Sequence, residues 1–325
     1  MVMAGGEGSR LRPLTSTRPK PLVPVVNRPI LWHVLRLLQK HSIDEAHITL
    51  HYLADQITTT FSGSRDINLH INYSFEDRPL GTAGSVKAIE DQLTDTFLVI
   101  SGDVMTDFDL TRLIEFHKKS GATVTIGLAR VQNPLEYGVV MTDSDHRVTR
   151  FLEKPGWSEV FSDTVNTGIY VINREALKEI ESEKQFDFSK DLFPRLLKKE
   201  NSIFALPLDG YWCDVGMPSQ YITAHHDILS GKTGVEIPGK KNSDNIWIED
   251  GADIHPSAQL TGPCLIGNRA LIAKNASVGP MSCVGSHVSI ESGAVVSRSV
   301  VYDFAYLGRD SEAKGCVIGK SVVLR

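Results

Sequence analysis

The sequence predicts an α/β fold in two parts: a Rossmann-like, mostly parallel mixed sheet covered by helices, then a left-handed parallel β-helix. Three observations predict it. Strand-like and helix-like segments alternate from residue 1 to about 230, which argues for a sheet with helices packed on it. A polar stretch broken by Pro238 and Gly239 follows at 231–245. After it, aliphatic residues return at every sixth position from Ile248, and a hexapeptide period is the signature of a β-helix. The expected organisation is therefore an α/β domain at 1–230, a linker at 231–245 and a β-helix at 246–325.

Within the first part, His47–Tyr52, Asn68–Phe75, Phe97–Ser101, Thr123–Ala129 and Ile169–Asn173 are rich in β-branched and aromatic residues and read as strands. Pro29 opens a helix that carries Ile30, Val34, Leu37 and Leu38 on one face. Asp109 reads as the N-cap of a helix over Leu110–Lys119, with Gly121 as its stop. Lys190–Lys199 is a further helix candidate. In such sheets, ligands bind beyond the carboxyl ends of the strands.

In the second part the inward positions are Ile248, Ile254, Leu260, Ile266, Ile272, Val278, Val284, Ile290, Val296 and Tyr302. Four residues after each stands a mostly small one, among them Ala252, Ala258, Cys264, Ala270, Ala276, Ser282 and Ala294. Each six-residue segment would form one wall of a triangular coil, the aliphatic residue inward and the small one where the wall turns. The register is expected to break past Tyr302. An antiparallel domain would show a period of two instead.

Composition excludes several classes of function. Net charge is −5 and the basic residues are scattered, so neither a nucleic-acid groove nor an anionic membrane surface is favoured. Apolar stretches such as Phe97–Ile100 are too short to span a bilayer, and no signal-peptide pattern opens the chain. The four cysteines, Cys213, Cys264, Cys283 and Cys316, form no CxxC pair, against a zinc site or a disulfide framework. A cytoplasmic setting follows as the expectation.

The chemistry-bearing segment lies at the start: Met3-Ala4-Gly5-Gly6-Glu7-Gly8-Ser9-Arg10-Leu11-Arg12-Pro13-Leu14-Thr15, then Pro19-Lys20-Pro21. Glycines after a strand let the backbone approach a phosphate or base closely and offer N–H groups to anionic oxygens. Arg10 and Lys20 add positive charge. A Walker A loop would need Gly-Lys-Ser/Thr, which is absent. A dinucleotide fingerprint would need a glycine where Leu11 stands. A plain Gly-rich turn leaves Arg10 and Lys20 unexplained.

This segment resembles the signature of the sugar-phosphate nucleotidyltransferases, enzymes such as mannose-1-phosphate guanylyltransferase and glucose-1-phosphate thymidylyltransferase. Several members carry a C-terminal hexapeptide β-helix. Further segments resemble the family in order. Pro79–Gly84 matches the loop that holds the nucleobase, with Gly81 and Thr82. Gly102-Asp103 matches the first metal-binding aspartate, and Glu136–Val139 a sugar-contacting turn with Gly138. Phe151–Pro155 matches the sugar-phosphate motif with Glu153 and Lys154. Asn166–Tyr170 matches a segment that contacts sugar hydroxyls, through Asn166 and Thr167. Trp212–Gly216 matches the second metal-binding aspartate, Asp214. Singly, each has a plain structural reading as a turn, a solvated lysine, a loop or a core tryptophan. Six in order outweigh it.

The resemblance implies that a sugar 1-phosphate oxygen attacks the α-phosphorus of a nucleoside triphosphate and that pyrophosphate leaves. A phosphate monoester has a second pKa of ~6, so the nucleophile is already an anion and no general base is required. Charge neutralisation and alignment are what remain. Asp103 and Asp214 would hold Mg²⁺. Lys154 would neutralise the sugar phosphate, and Arg10 and Lys20 the β- and γ-phosphates. Gly5, Gly6 and Gly8 would line the nucleotide.

In thymidylyl- and uridylyl-transferring relatives a Gln five residues before the loop glycine reads the pyrimidine, and here that position is Glu76. An ionised carboxylate only accepts hydrogen bonds. It could take both N1–H and the N2 amino group of guanine, whereas uracil and thymine offer one donor flanked by acceptors. GTP is the donor expected, and mannose 1-phosphate the acceptor implied by the resemblance, with glucose 1-phosphate and dTTP or UTP as the alternative. A solvated strand-end carboxylate is the competing reading of Glu76.

The chain departs from the family in three places. Only Met1–Ala4 precede Gly5, so a short first strand or a clipped chain is expected; the chain ends at Arg325 in what could be mid-coil; and Ser9 stands where Thr is usual. Two rival classes share parts of this pattern. A hexapeptide acyltransferase would use His255 or His287 as base and an acyl-CoA loop, but no long insertion interrupts the repeat. A non-catalytic sugar-nucleotide sensor should have lost an acid or cation among Arg10, Lys20, Asp103, Lys154 and Asp214, and all are present. The β-helix, with outer walls and an end to cover, implies a homo-oligomer.

Overall fold

The structure, a computed structural model, describes residues 1–199, 203–319 and 322–324. Residues 320, 321 and 325 of the expected β-helix range lie outside the described residues. The chain divides into two compact units.

The first unit comprises residues 1–6, 34–102 and 108–212 and is built on a nine-stranded sheet. Val2–Met3 lies at its centre, parallel to Glu45–Leu50 on one side and to Thr96–Ser101 on the other, and His70–Phe75 adds parallel to Glu45–Leu50. The sheet then becomes antiparallel. Thr164–Asn173 pairs against Thr96–Ser101, Val124–Arg130 and Gly138–Thr142, and Val148–Glu153 closes that edge as a hairpin on Gly138–Thr142. Ile203–Pro207 runs parallel to Val124–Arg130. The expected strands thus appear within a few residues of their predicted bounds. The hairpin Gly138–Thr142 and Val148–Glu153 was not foreseen, because its outer residues are polar and mask the alternation.

Helices cover the sheet where the apolar periodicity places them. Ile30–Lys40 follows Pro29 directly, and Ile30, Val34, Leu37 and Leu38 are buried. Leu110–Ser120 begins at Asp109, whose side chain accepts the Arg112 amide, and stops at Gly121 with φ +63°, the left-handed residue that ends helices. The candidate over Lys190–Lys199 resolves into a wide turn at Phe188–Leu192 and a short helix at Phe193–Lys198. Val99, Ile126, Ile172 and Phe193 are fully buried together in the core. Each such side chain contributes ~1.5–3 kcal/mol relative to exposure.

The four parallel strands all deliver their carboxyl ends to one edge: Met3 leads to Gly5, Leu50 to His51, Phe75 to Glu76 and Ser101 to Gly102. This is where an α/β sheet binds ligands.

The second unit comprises residues 7–33, 103–107 and 213–325. Its bulk is a parallel β-helix of the left-handed class with three walls. One wall stacks Ile246–Ile248, Cys264–Ile266, Ser282–Val284, Val300–Val301 and Val317–Gly319; the other two have four strands each. The aliphatic residues at the sixfold positions point inward, with Ala270, Ala276, Val288 and Ala294 filling the corners. The register differs from expectation in one respect. It holds through Val296 and then slips by one residue, so that Val284 pairs with Val301 and Ile290 with Leu307. Tyr302 therefore leaves the interior and instead packs near Tyr221, with the Arg18 guanidinium over its ring. After the slip the repeat continues to Ile318, further than the sequence pattern suggested.

Left-handed corners recur in columns, as at Gly251, Arg269, His287 and Phe304. A non-glycine residue there costs roughly 1–2 kcal/mol, offset by hydrogen bonds between successive coils. Residues 232–239 carry no regular element, and Lys240–Lys241 then pairs antiparallel with Trp247–Ile248.

The same unit holds a short hairpin, Pro24–Val25 with Arg28–Pro29, whose tip is Val26 and Asn27, both at positive φ. The tip is clasped onto the β-helix. Asn27 Nδ2 donates to the Val284 carbonyl at 2.8 Å and to Glu249 Oε1 at 3.3 Å, and Arg28 Nη2 pairs with Glu249 Oε2 at 3.2 Å. The helix Pro218–Leu229 adds Tyr221, whose hydroxyl donates to the Pro24 carbonyl at 2.6 Å, and buried His225, 3.2 Å from Cys283 Sγ.

Candidate functional site

The expected site residues fall into one group in each unit. In the second unit, Gly8 has φ +63°, and a Cβ there would lie 2.7 Å from Lys20 Cβ. Only glycine fits the turn that brings Lys20 beneath the loop. Thr15 Oγ1 donates to the Gly8 carbonyl at 2.8 Å and pins the loop. Lys20, buried at the start of a 3₁₀ turn, places Nζ 2.6 Å from Asp103 Oδ2 and 3.3 Å from Asp214 Oδ1. Arg10 Nη2 stands 3.8 Å from Asp214 Oδ2 and is half exposed. Asp103 directly follows the apolar strand Thr96–Ser101 and Gly102, and Asp214 ends the short strand Trp212–Asp214.

Gly216 completes this cluster. A side chain at Gly216 would meet Asp214 Oδ2 at 3.0 Å and Arg10 Nη2 at 3.2 Å, and its N–H donates to Gln220 Oε1 at 3.1 Å. Burial alone would lower the Lys20 pKa, but the neighbouring Asp103 and Asp214 carboxylates outweigh it and hold the ammonium above its ordinary value. Four side chains far apart in sequence, Arg10, Lys20, Asp103 and Asp214, thus converge.

Among the described residues no group of three or more His, Cys, Asp or Glu forms a metal cage. Magnesium does not require one, since it is commonly held by one or two carboxylates plus phosphate oxygens. The Asp103–Asp214 pair fits that donor set.

In the first unit, Gly5 sits where a Cβ would be 3.7 Å from Glu76 Oε1, and nothing lies within 4 Å of one at Gly6. Glu76 ends its strand. Its Oε2 accepts the Leu80 amide at 3.2 Å, and its carbonyl lies 2.8 Å from His51 Nδ1. Glu76 Oε1 is buried with no hydrogen-bond partner among the described residues. Gly81, φ +75°, opens the helix Gly81–Lys87, and a Cβ there would strike the Phe186 carbonyl at 2.6 Å. Thr82 Oγ1 donates to Asp187 Oδ2 at 2.9 Å and accepts the Phe188 amide at 3.0 Å. That hydroxyl ties the loop to the 187–190 segment.

Glu153 pairs across the hairpin with Gly138, where a Cβ would approach Glu153 Oε2 at 2.7 Å. Burial, reinforced by the Asp187 charge, raises the Glu153 pKa above the usual carboxylate range. Lys154 is exposed and takes φ +48°, its amide bonded to the Tyr137 carbonyl at 3.0 Å. Strained backbone of this kind clusters at functional sites. Asn166 and Thr167 lie at a bulge where the strand's register shifts between Asn166 and Tyr170. Asn166 Nδ2 reaches Tyr170 Oη and Ser189 Oγ, each at 3.0 Å. The Thr167 hydroxyl turns inward to the Gly127 carbonyl at 2.6 Å.

Asp187, Ser189 and Gln220 were not singled out from the sequence. Asp187 and Ser189 link Thr82, Glu153 and Asn166. The available signal was Asp187 preceding a helical pattern as an N-cap, which it is, accepting the Ser189 and Lys190 amides. Gln220 lies in an ordinary helix with no signal of its own.

Glycines follow the carboxyl ends of the parallel strands in the first unit, and two acids flank a lysine in the second. The chain belongs to the nucleotidyl transferase family, whose family model matches residues 1–231. It is 33% identical to UTP–glucose-1-phosphate uridylyltransferase of Synechocystis over 95% of this chain and 84% of that protein. It is also 33% identical to the probable mannose-1-phosphate guanylyltransferase 2 of Arabidopsis thaliana, covering 98% and 85%. The mannose-1-phosphate guanylyltransferase of Mycobacterium tuberculosis is 31% identical, covering 92% and 82%. Among solved structures, HddC from Yersinia pseudotuberculosis superposes with a TM-score of 0.61 at 26% identity, covering 69% of this chain and 96% of that one.

No helix among the described residues is long and apolar enough to cross a membrane.

Proposed function

We propose that the protein transfers a nucleotidyl group from a nucleoside triphosphate to a sugar 1-phosphate and releases pyrophosphate. The observation that carries this reading is the convergence of Arg10, Lys20, Asp103 and Asp214. The bond formed joins the sugar phosphate oxygen to the α-phosphorus, and the bond broken is that to the β-phosphate bridging oxygen. The leaving pyrophosphate takes the electron pair. Lys20 and Arg10 neutralise the triphosphate, and Lys154 binds the monoester as a point charge. Gly5, Gly6, Gly8, Gly81 and Thr82 shape the nucleotide site; Gly138, Glu153, Asn166 and Thr167 shape that for the sugar phosphate. Asp103 and Asp214 would hold Mg²⁺, which supplies Lewis-acid charge neutralisation at the phosphates.

GTP is the donor we infer, with mannose 1-phosphate as acceptor. Glu76 supports this: one carboxylate oxygen holds the loop at Leu80, and the other, Oε1, is buried and unpartnered among the described residues beside Gly5. Two relatives named guanylyltransferases support it as well. The uridylyltransferase relative favours a second reading, glucose 1-phosphate with UTP. Pyrophosphate release measured for five nucleoside triphosphates with mannose 1-phosphate and glucose 1-phosphate separates them. A hydrogen bond to a charged group is worth ~1.5–3 kcal/mol, so Glu76→Gln should lower the GTP preference by about one to two decades in kcat/KM. An unchanged ratio of GTP to UTP and dTTP would remove Glu76 from base reading.

The β-helix also supports self-association. Leu271, Phe304 and Tyr306 are exposed hydrophobic residues along one wall and its corner. Light scattering of the full chain should give an oligomeric mass; a monomer at micromolar concentration would refute it.

A further inference from the structure

Lys20 has a second role open to it. Its ammonium lies 2.6 Å from Asp103 and 3.3 Å from Asp214, and its side chain is only 8% exposed while the two carboxylates are 29% and 23% exposed. The ammonium holds one oxygen of each acid, Asp103 Oδ2 and Asp214 Oδ1, and so stands where it competes with any divalent cation held by the same pair. Magnesium needs oxygen ligands at ~2.0–2.1 Å in near-octahedral array, and a dication entering beside an ammonium in a partly buried site meets strong repulsion. The charge count makes the same point. Two carboxylates with Lys20 carry a net −1, and Arg10 at 3.8 Å from Asp214 brings the group close to neutrality, which leaves little net attraction for a further cation.

We propose that Lys20 is the resident counter-ion of the Asp103–Asp214 pair and must swing off it before a divalent cation can be held, so that metal loading is coupled to arrival of the triphosphate. The anionic triphosphate gives the displaced ammonium a new partner, and one motion converts Lys20 from a lock on the acids to a clamp on the phosphates. The cation and nucleotide then enter together, and the nucleotide-free protein binds the cation weakly. Arg10, half exposed and 3.8 Å away, contributes far less to this competition. The inference rests on the proposed nucleotidyl transfer for its partner, the triphosphate.

The test is Mn²⁺ binding to the nucleotide-free full chain, read from the free-ion electron paramagnetic resonance signal. Lys20→Met should tighten Mn²⁺ binding by at least ~10-fold over the wild type, since it removes an internal cation from a low-dielectric pair. Arg10→Met should change it less than ~3-fold, as exposed pairs are weak. Asp103→Asn in the Lys20→Met background should abolish the gain. Unchanged or weaker Mn²⁺ binding in Lys20→Met overturns the proposal. If that variant is too unstable to titrate, its thermal midpoint should rise steeply with added Mn²⁺ while the wild type's barely moves; equal shifts overturn it equally. Wild-type protein that releases pyrophosphate while Lys20→Met gains no Mn²⁺ affinity refutes the exchange alone. Protein that releases no pyrophosphate with any pair of substrates refutes the functional reading instead.

Discussion

Replacing either partner of the Arg28–Glu249 pair should destabilise the protein, but unequally. Glu249 is nearly buried, with its side chain 7% exposed, whereas Arg28 is 28% exposed. Removing one member of a buried pair typically costs ~3–5 kcal/mol, because the other is left uncompensated. In Arg28→Ala the stranded group is the carboxylate, which among the described residues keeps the Asn27 amide at 3.3 Å; that remaining donor reduces the expected cost to ~2–3 kcal/mol. In Glu249→Ala the stranded group is the guanidinium. It still donates to the Asn27 carbonyl at 2.9 Å and can reach water, so the cost should be ~1–2 kcal/mol. Joint replacement by Met at both positions removes both charges and should recover most of the loss. Urea denaturation followed by tryptophan fluorescence, with Trp247 two residues from Glu249, measures all three variants. The reasoning is refuted if Glu249→Ala costs as much as Arg28→Ala, or if the double variant is no better than the worse single one.

Asp103→Asn and Asp214→Asn should each lower kcat at saturating Mg²⁺ by at least ~10²-fold, since each removes charge stabilisation at the transferring phosphate; near-normal turnover in steady-state assays of both would refute their role. Lys154→Ala should raise KM for the sugar 1-phosphate much more than that for the triphosphate, and equal effects would show the assignment to be wrong. Glu153 has a raised pKa in the folded state, so the folded protein binds its proton more tightly than the unfolded chain. Its contribution therefore favours folding at low pH and is lost as pH rises from the ordinary carboxylate range through the folded value. Glu153→Gln should flatten that part of the stability profile, and thermal melts from pH 4 to 7 that stay parallel to the wild type's would contradict it.

Much of the architecture was legible because local signals agreed with one another. Asp109 and Gly121 bracket a helix in sequence and in space, and the sixfold aliphatic pattern maps onto the coil interior through Val296. The one-residue slip before Val301 was not legible, because Val300, Val301 and Tyr302 are all apolar and the pattern alone does not choose among them. At the candidate site, sequence order identifies residue types but not which hydroxyl points where. Thr167, expected as a sugar contact, directs its hydroxyl to the Gly127 carbonyl, an orientation the sequence does not give, while Asp187 and Ser189 gain their place only because the chain folds them against Thr82 and Asn166. Lys20 and Asp103 are separated by 83 residues, and only topology brings an ammonium onto an acid expected to ligate metal.

The first wall of the β-helix ends at both extremes in strands of reversed direction: Lys240–Lys241 runs antiparallel to the first coil, and Val322–Leu324 antiparallel to Val317–Gly319. A parallel coil is otherwise an invitation to unlimited growth, since each open rung is a template for the next. A reversed strand ends the run of parallel pairing, because the next rung of the coil would meet it antiparallel. On this wall the parallel stack is therefore bounded on both sides, within the described residues, by a strand of the opposite sense drawn from the chain itself.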